Sequence, residues 1–276
     1  MKFTKMQGCG NDYVYVNCFE EKVPDPSALA KRIADRHFGV GGDGLILIEP
    51  SETADAYMHM FNLDGSEGSM CGNGIRCVAK YIYDHGIISG DRREAVIDTK
   101  SGHKNIKLFV ENGKMTIAAV DMGKLTLTSA VPEEITVKGM HLRFIGADAG
   151  NPHAVYFLED NRELGVSRVS DLDFVLYGKE FETHPRFPDK VNSEFIETVS
   201  RKEIRFRVYE RGSGETLACG TGATAAAFAG VMAGKLDDEV LIHLLGGDLK
   251  IRYDRDTGHC FMTGPAAEVF TGDFPV

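Results

Sequence analysis

The feature that most limits what this chain can fold into is an internal repeat. Met70-Cys71-Gly72-Asn73-Gly74 has a counterpart in Ala218-Cys219-Gly220-Thr221-Gly222, 148 residues later. Gly10-Asn11-Asp12 matches Gly150-Asn151-Pro152 at an offset of 140, and the strand after Gly113 matches the one after Gly258 at an offset of 145. The order is the same and the insertions are small, so the 276 residues read as two copies of one unit. The expected halves are residues 1–120, with a C-terminal strand at 265–276 returning to the first half, and residues 121–264, joined near Asp121–Met140. At about 150 residues per domain, the length also suits two modest domains. Two such copies are expected to pack about a pseudo-twofold axis, with the two Cys-Gly turns facing across a cleft.

Most segments between the repeated motifs read as strands. Asp12–Asn17, Leu45–Glu49, Ala56–Phe61 and Glu94–Thr99 carry β-branched or aromatic residues, often alternating. Ile106–Val110 and Lys114–Val120 flank Asn112-Gly113, a type I′ hairpin signal. Ala154–Leu158, Glu203–Glu210, Glu239–Leu245, Leu249–Tyr253, His259–Thr263 and Ala266–Phe270 follow. Helices are predicted at Ser27–His37, Asn73–His85, Val169–Tyr177 and within Leu217–Gly234. The fold class is α+β, with two pseudo-symmetric, strand-rich, barrel-like halves each built around a central helix.

The last of those helices carries no charge over 18 residues, the length of a membrane-span candidate. Only Leu217, Phe228, Val231 and Met232 in it are large and apolar. Ala225, Ala226, Ala227 and Ala229 leave room for backbone on every side, which describes a helix sealed inside a β layer. Lys and Arg total 31 against 41 Asp and Glu, a net charge of −10 that argues against a nucleic-acid partner. Met1–Met6 alternates like a strand and lacks the apolar core of a signal peptide. Six cysteines without small-scaffold spacing suit a reducing compartment. The expectation is a cytoplasmic protein with a small-molecule partner and no membrane or nucleic-acid partner.

Cys-Gly-X-Gly at a helix start carries chemistry. The glycines allow a tight turn and leave N–H groups uncovered, and these groups with the helix dipole attract a carboxylate or phosphate. At such a place a thiol pKa falls from about 8.5 toward about 3.5–7.5. Two such turns, related by a twofold, set Cys71 and Cys219 on opposite sides of one carboxylate. That arrangement can invert the carbon next to the carboxylate: one thiolate removes the α-proton and the opposite thiol returns a proton to the other face. The N–H groups of Gly72, Asn73, Gly220 and Thr221 would hold the carboxylate and the enolate-like charge. The scheme calls for no pyridoxal phosphate or other cofactor.

Blander readings compete. Cys9, Cys18, Cys77 and Cys260 read as small buried hydrophobes. Cys71 and Cys219 could form a redox pair, though neither lies in a Cys-X-X-Cys motif, and no spacing suggests a metal. Gly39–Gly44 leads into a strand instead of a helix, so it reads as a turn at the cleft rim rather than a dinucleotide loop. A non-catalytic amino-acid-binding module or a redox sensor would need only one functional half.

At these motifs the chain resembles the diaminopimelate epimerase family. Asn62–Ser66 through Met70–Arg76 is similar to its first active-site signature, and Glu210–Gly222 to its second. Gly8–Tyr13, Arg36–Gly44, Gly150–His153 and Val191-Asn192 are similar to further family segments. The resemblance implies a cofactor-independent epimerase of L,L- and meso-diaminopimelate, on the route to lysine and peptidoglycan, with its site in the cleft. It makes Cys71 and Cys219 the acid/base pair, with Cys219 the acceptor and Cys71 the donor from L,L to meso. Substrate contacts fall on Asn11, Asn62, Gly72, Asn73, Asn151, Asn192, Glu210, Arg211, Gly220 and Thr221, and thiol tuning on His153 and Glu210. Asn62 and Glu210 each lie nine residues before their cysteine, so one half places an amide where the other places a carboxylate. That difference would leave one thiol protonated and the other ionised. Gly44 stands where some relatives carry a substrate-contacting Gln, and that contact is not carried over. Proline and hydroxyproline racemases also pair two cysteines, but they typically have His where this chain has Asn73. Phenazine-type isomerases of the same fold lack the paired cysteines. The family is typically dimeric, and Phe270 on the returning strand is the expected contact.

Overall fold

Each copy of the repeat forms its own strand-rich unit in the computed structural model, which describes residues 1–275. The first unit is Met1–Val120 with the C-terminal segment from Thr263, and the second is Asp121–Met262.

In the first unit, Lys2–Gly8 and Asn11–Asn17 pair antiparallel. The turn between them is Cys9-Gly10, with φ of 54° and 79°, the two positive angles of a type I′ hairpin. Asn11–Asn17 then pairs parallel with Gly44–Glu49, which runs antiparallel to Ala56–Asn62. A second parallel step leads from Ala56–Asn62 to Glu94–Asp98, followed by the antiparallel strands Lys104–Glu111 and Lys114–Lys124. Asn112-Gly113 makes the turn its sequence predicts, with φ of 51° and 75°. On the other side of Lys2–Gly8 lies Ala267–Asp273, with Phe270 opposite Lys5.

Two helices belong to this unit. Helix α1, Pro26–Ile33, starts at Asp25, whose side chain accepts the Ala28 N–H. It stops short of the predicted His37 because the Asp35 carboxylate takes the N–H groups of His37 and Phe38 and turns the chain. Helix α2, Gly72–Asp84, is buried at 11 of its 13 residues. It touches Lys2–Gly8, Asn11–Asn17, Ala56–Asn62, Glu94–Asp98, Lys104–Glu111 and Ala267–Asp273, so strands enclose it.

The second unit repeats the pairing pattern. Met140–Asp148 runs antiparallel to Pro152–Phe157, which pairs parallel with Asn192–Ser200. Glu203–Glu210 follows antiparallel, Glu239–Leu244 parallel and Gly247–Tyr253 antiparallel. The expected joint holds a strand of its own, Glu133–Val137, which forms a hairpin with Met140–Asp148 through Lys138-Gly139. The predicted helix Val169–Tyr177 is instead a 3-10 turn at Val169–Asp171 and then helix α3, Phe174–Glu182. Leu172 is extended between them, and Asp173 caps α3 by accepting the Leu176 N–H. Phe174 and Phe181 of α3 pack on Tyr156 and Phe195 in an aromatic core, with the Tyr156 and Phe195 rings stacked at 5.2 Å.

Helix α4, Gly220–Met232, is the charge-free segment. Its small side chains let four strands of the unit reach it, and 11 of its 13 residues are buried. No helix among the described residues is long and apolar enough to cross a membrane.

Gly44 begins its strand opposite Asn62. A Cβ there would lie 2.0 Å from the Phe61 carbonyl oxygen and 2.9 Å from the Tyr13 ring. The position therefore has no room for a side chain, Gln included. Gly44→Ala is expected to destabilise the protein by about 1–3 kcal/mol in urea unfolding. An unchanged midpoint would show that this strand pair shifts freely.

Candidate active site

Cys71 and Cys219 occupy the same structural position, the N-cap of the enclosed helix in each unit. Their backbones are extended, with φ/ψ of −130°/117° and −117°/108°. Each sulfur accepts the N–H three residues on, from Gly74 and Gly222 respectively, both at 3.3 Å. Capping oxygens from Ser, Thr, Asp or Asn usually take that bond. The first intrahelical bonds run from Ile75 to Cys71 and from Ala223 to Cys219. The N–H groups ahead of them, at Gly72, Asn73, Gly220 and Thr221, lie at the positive end of each helix dipole.

In the first unit the Cys71 thiol donates to Asn11 Oδ1 at 3.2 Å. Asn11 Nδ2 donates to Asp43 Oδ2 at 2.6 Å, which fixes the amide so that its oxygen faces the sulfur. Arg36 bridges Asp43 and Asp12 at 2.9 and 2.7 Å, and Lys5 pairs with Asp12 at 2.5 Å. Burial pushes the Asp12 carboxyl up, but Arg36 and Lys5 outweigh it and hold the group below the usual carboxylate range. This charged support was not assigned from the sequence, although Arg36 and Asp43 lie inside a family-like segment. Arg76 is another unassigned support: it is fully buried and donates to the carbonyls of Gly72 at 3.1 Å and Pro265 at 3.1 Å. Asn73 is buried in the first turn. Asn62 ends its strand and donates from Nδ2 to Ser66 Oγ at 3.0 Å.

In the second unit Glu210 ends its strand as Asn62 does, and it accepts the Thr216 hydroxyl. Asn192 is buried and accepts the Arg211 N–H at 2.8 Å, while the Arg211 guanidinium donates to the Asp189 carbonyl. Thr221 Oγ1 lies 3.5 Å from the Cys219 sulfur. His153 joins Asn151 to a residue the sequence reading missed. Its Nε2 is 2.9 Å from Asn151 Oδ1, and its Nδ1 is 2.7 Å from Glu194 Oε1, with His153 and Glu194 side chains both wholly buried.

Helix position alone predicts a lowered thiol pKa, and Cys219 departs from that. Burial pushes this thiol well above its ordinary range, and the charges of Glu210 and Glu194 push the same way. The hydrogen bonds from Thr221 and Gly222 pull down but are outweighed. Among the remaining cysteines, burial raises Cys77 and Cys260 to about 12 and Cys18 to about 11. Cys18 is only half-buried, in an open hollow with Glu21, Pro24 and Glu49, and not a core residue as expected. Among the described residues no disulfide joins any of the six cysteines. No cluster of three His, Cys, Asp or Glu among the described residues is arranged to hold a metal ion. Phe270 is half exposed, with its ring edge-on to Phe3 at 5.9 Å.

A sequence profile of the diaminopimelate epimerase family matches residues 3–128 and 146–269. The diaminopimelate epimerase of Agathobacter rectalis is 47% identical, over 100% of both chains. That of Desulfovibrio desulfuricans is 46% identical, over 99% of this chain and 98% of its own. Among solved structures, a probable proline racemase from Agrobacterium radiobacter is similar at a TM-score of 0.72, covering 100% of this chain and 93% of the racemase. At 14% identity it shares the fold.

The raised thiols give stability a sign. Above the ordinary thiol pKa the unfolded chain releases protons that the folded chain keeps, so the free energy of unfolding falls as pH rises from about 9. The urea midpoint should be lower at pH 10 than at pH 8, and the drop should be smaller in Cys260→Val. Equal drops in the two proteins would contradict the raised Cys260 value.

Proposed function

The chain belongs to the diaminopimelate epimerase family, and from that premise we propose how its residues interconvert L,L- and meso-diaminopimelate, a step that supplies lysine and a peptidoglycan precursor. The observation that carries the reading is the matched capping geometry of Cys71 and Cys219. Two sulfurs sit at two equivalent helix starts, each beside N–H groups suited to a carboxylate.

The substrate's reacting carboxylate is held by the N–H groups of Gly72, Asn73, Gly220 and Thr221. One cysteine, as thiolate, takes the α-proton and becomes a thiol. The electron pair left on carbon spreads into the carboxylate, where the N–H groups stabilise it. The other cysteine gives its S–H proton to the opposite face and becomes a thiolate. No electron leaves the system and no cofactor is consumed, and the protein ends with its two sulfur states exchanged. The ligand-free form, with Cys219 held as a thiol, is thus ready to donate from Cys219. The opposite form follows each turnover and starts from the Cys219 thiolate, the acceptor role that the family resemblance gives it for the L,L substrate. Asn11, held by Asp43, and Asn151, held by His153, present ordered amides to the substrate. Asn62, Asn192 and Arg211 serve its distal amino-acid group, and Glu210 with His153 tunes Cys219.

The enzyme works in the cytoplasm as a homodimer in this reading. The strand Ala267–Asp273 supports it, since Val269 and Phe270 expose apolar surface at 57% and 48%. Sedimentation at micromolar concentration should give a dimer, and Phe270→Asp should shift it toward monomer. A wild-type monomer would remove the dimer.

The reaction itself is tested in deuterated water, where each inversion of diaminopimelate should bring one deuterium to the α-carbon without added cofactor. Cys71→Ser and Cys219→Ser should each lose about 10²–10⁴-fold in epimerisation. Each variant should still eliminate halide from a β-halogenated analogue of one α-configuration, because elimination needs one base, and the configuration should switch between the variants. The same preference in both would contradict opposed proton transfer.

A further inference from the structure

The two units fill one equivalent place with opposite chemistry. Gly74 and Gly222 stand at the same point in α2 and α4. A Cβ on Gly74 would lie 2.7 Å from Ile46 Cδ1, whereas a Cβ on Gly222 would lie 2.8 Å from Glu194 Oε1 and 3.2 Å from the Cys219 sulfur. Ile46 and Glu194 are each the third residue of their strand. Those strands pair in parallel with matched partners, Gly44 with Tyr13 and Asn192 with His153. The fold therefore closes this place with an isoleucine in one half and a histidine-bound carboxylate in the other.

A wholly buried carboxylate is costly, and this one is only half satisfied. Oε1 binds His153, but Oε2 has no hydrogen-bond partner among the described residues. The titratable groups facing it are His153 and Tyr156 from Pro152–Phe157, Glu210 from the neighbouring strand, and Cys219 at the cap of α4. Burial lifts the Glu194 carboxyl to about 7, with His153 pulling it down and Glu210 adding to the rise. An anionic Glu194 favours the Cys219 thiol, and a neutral one favours the thiolate.

We propose that Glu194, held by His153, is a positioning residue that sets the charge state of Cys219, so that a proton gained or lost at the buried Glu194 carboxyl switches that sulfur between its donor and acceptor forms. The inference rests on the two-cysteine reading above and adds a residue to it. The counterpart Ile46 shows that packing alone does not call for a carboxylate there.

The test is the pH dependence of diaminopimelate epimerisation by the full-length enzyme between pH 5.5 and 9. Wild type should show an inflection near neutral pH. Glu194→Gln should lose that inflection and lower kcat by about 10- to 100-fold, with KM within about threefold. Glu194→Asp should restore the inflection. If Glu194→Gln does not fold by circular dichroism, Glu194→Ile takes its place with the same expectation. An unchanged inflection, a folded variant with no turnover at all, or a change in KM alone would overturn the proposal. Failure of both variants to fold would overturn it too, since the carboxylate would then be structural. A wild type that exchanges no α-proton would instead overturn the two-cysteine reading itself, so the two failures are distinguishable.

Discussion

A cysteine sulfur takes the place of the usual capping oxygen at the start of a strand-enclosed helix, and it does so once in each unit. Most of the molecule serves that arrangement. Burial lets the helix dipoles act with little screening; α4 reaches it with small or apolar side chains along its length, whereas α2 also buries Arg76 on the carbonyls of Gly72 and Pro265. Gly74 and Gly222 must lack a Cβ so that the sulfur and the supporting strand can both approach the first turn. The strands ending at Asn62 and Glu210 then deliver polar groups at equivalent points.

The two units share one backbone plan and differ in the charge they place beside the capping sulfur. The proposed reaction needs that difference, because two sulfurs in the same state would leave it either no base or no acid. The second unit departs by adding charge: Glu210 where the first has Asn62, and Glu194 with His153 where the first has Ile46 with Tyr13. Those carboxylates and burial together oppose the helix dipole and hold the Cys219 proton. The first unit keeps its charges one step away. Asp12, Asp43, Arg36 and Lys5 pair among themselves, and the neutral amide of Asn11 stands between Asp43 and Cys71.

Much of this was legible in the sequence because local signals carry it. Cys-Gly-X-Gly names a helix start, Asn112-Gly113 names a hairpin, and an uncharged run of small residues names a sealed helix. The misses have physical reasons as well. Val169–Tyr177 has apolar residues at helical intervals, but Asp173 caps a later start. The strand Asn192–Ser200 escaped because Ser193 and Glu194 look solvent-facing until the fold buries both completely. The Cys219 pKa could not follow from its motif alone. The dipole and the N–H groups are local, whereas the two opposing carboxylates come from strands that tertiary packing brings to the helix start.

The central claim is that carboxylates and burial hold Cys219 protonated despite its place at a helix N-terminus. Protein labelled with ¹³C at the cysteine β-carbons reports this directly, with the Cys219 resonance assigned through Cys219→Ser. In the ligand-free protein, once pH is above the Glu194 transition at about 7, that resonance should keep its thiol position as pH rises to about 9, beyond the ordinary thiol pKa. A change to the thiolate position on raising pH from there to about 8.5 would contradict the account.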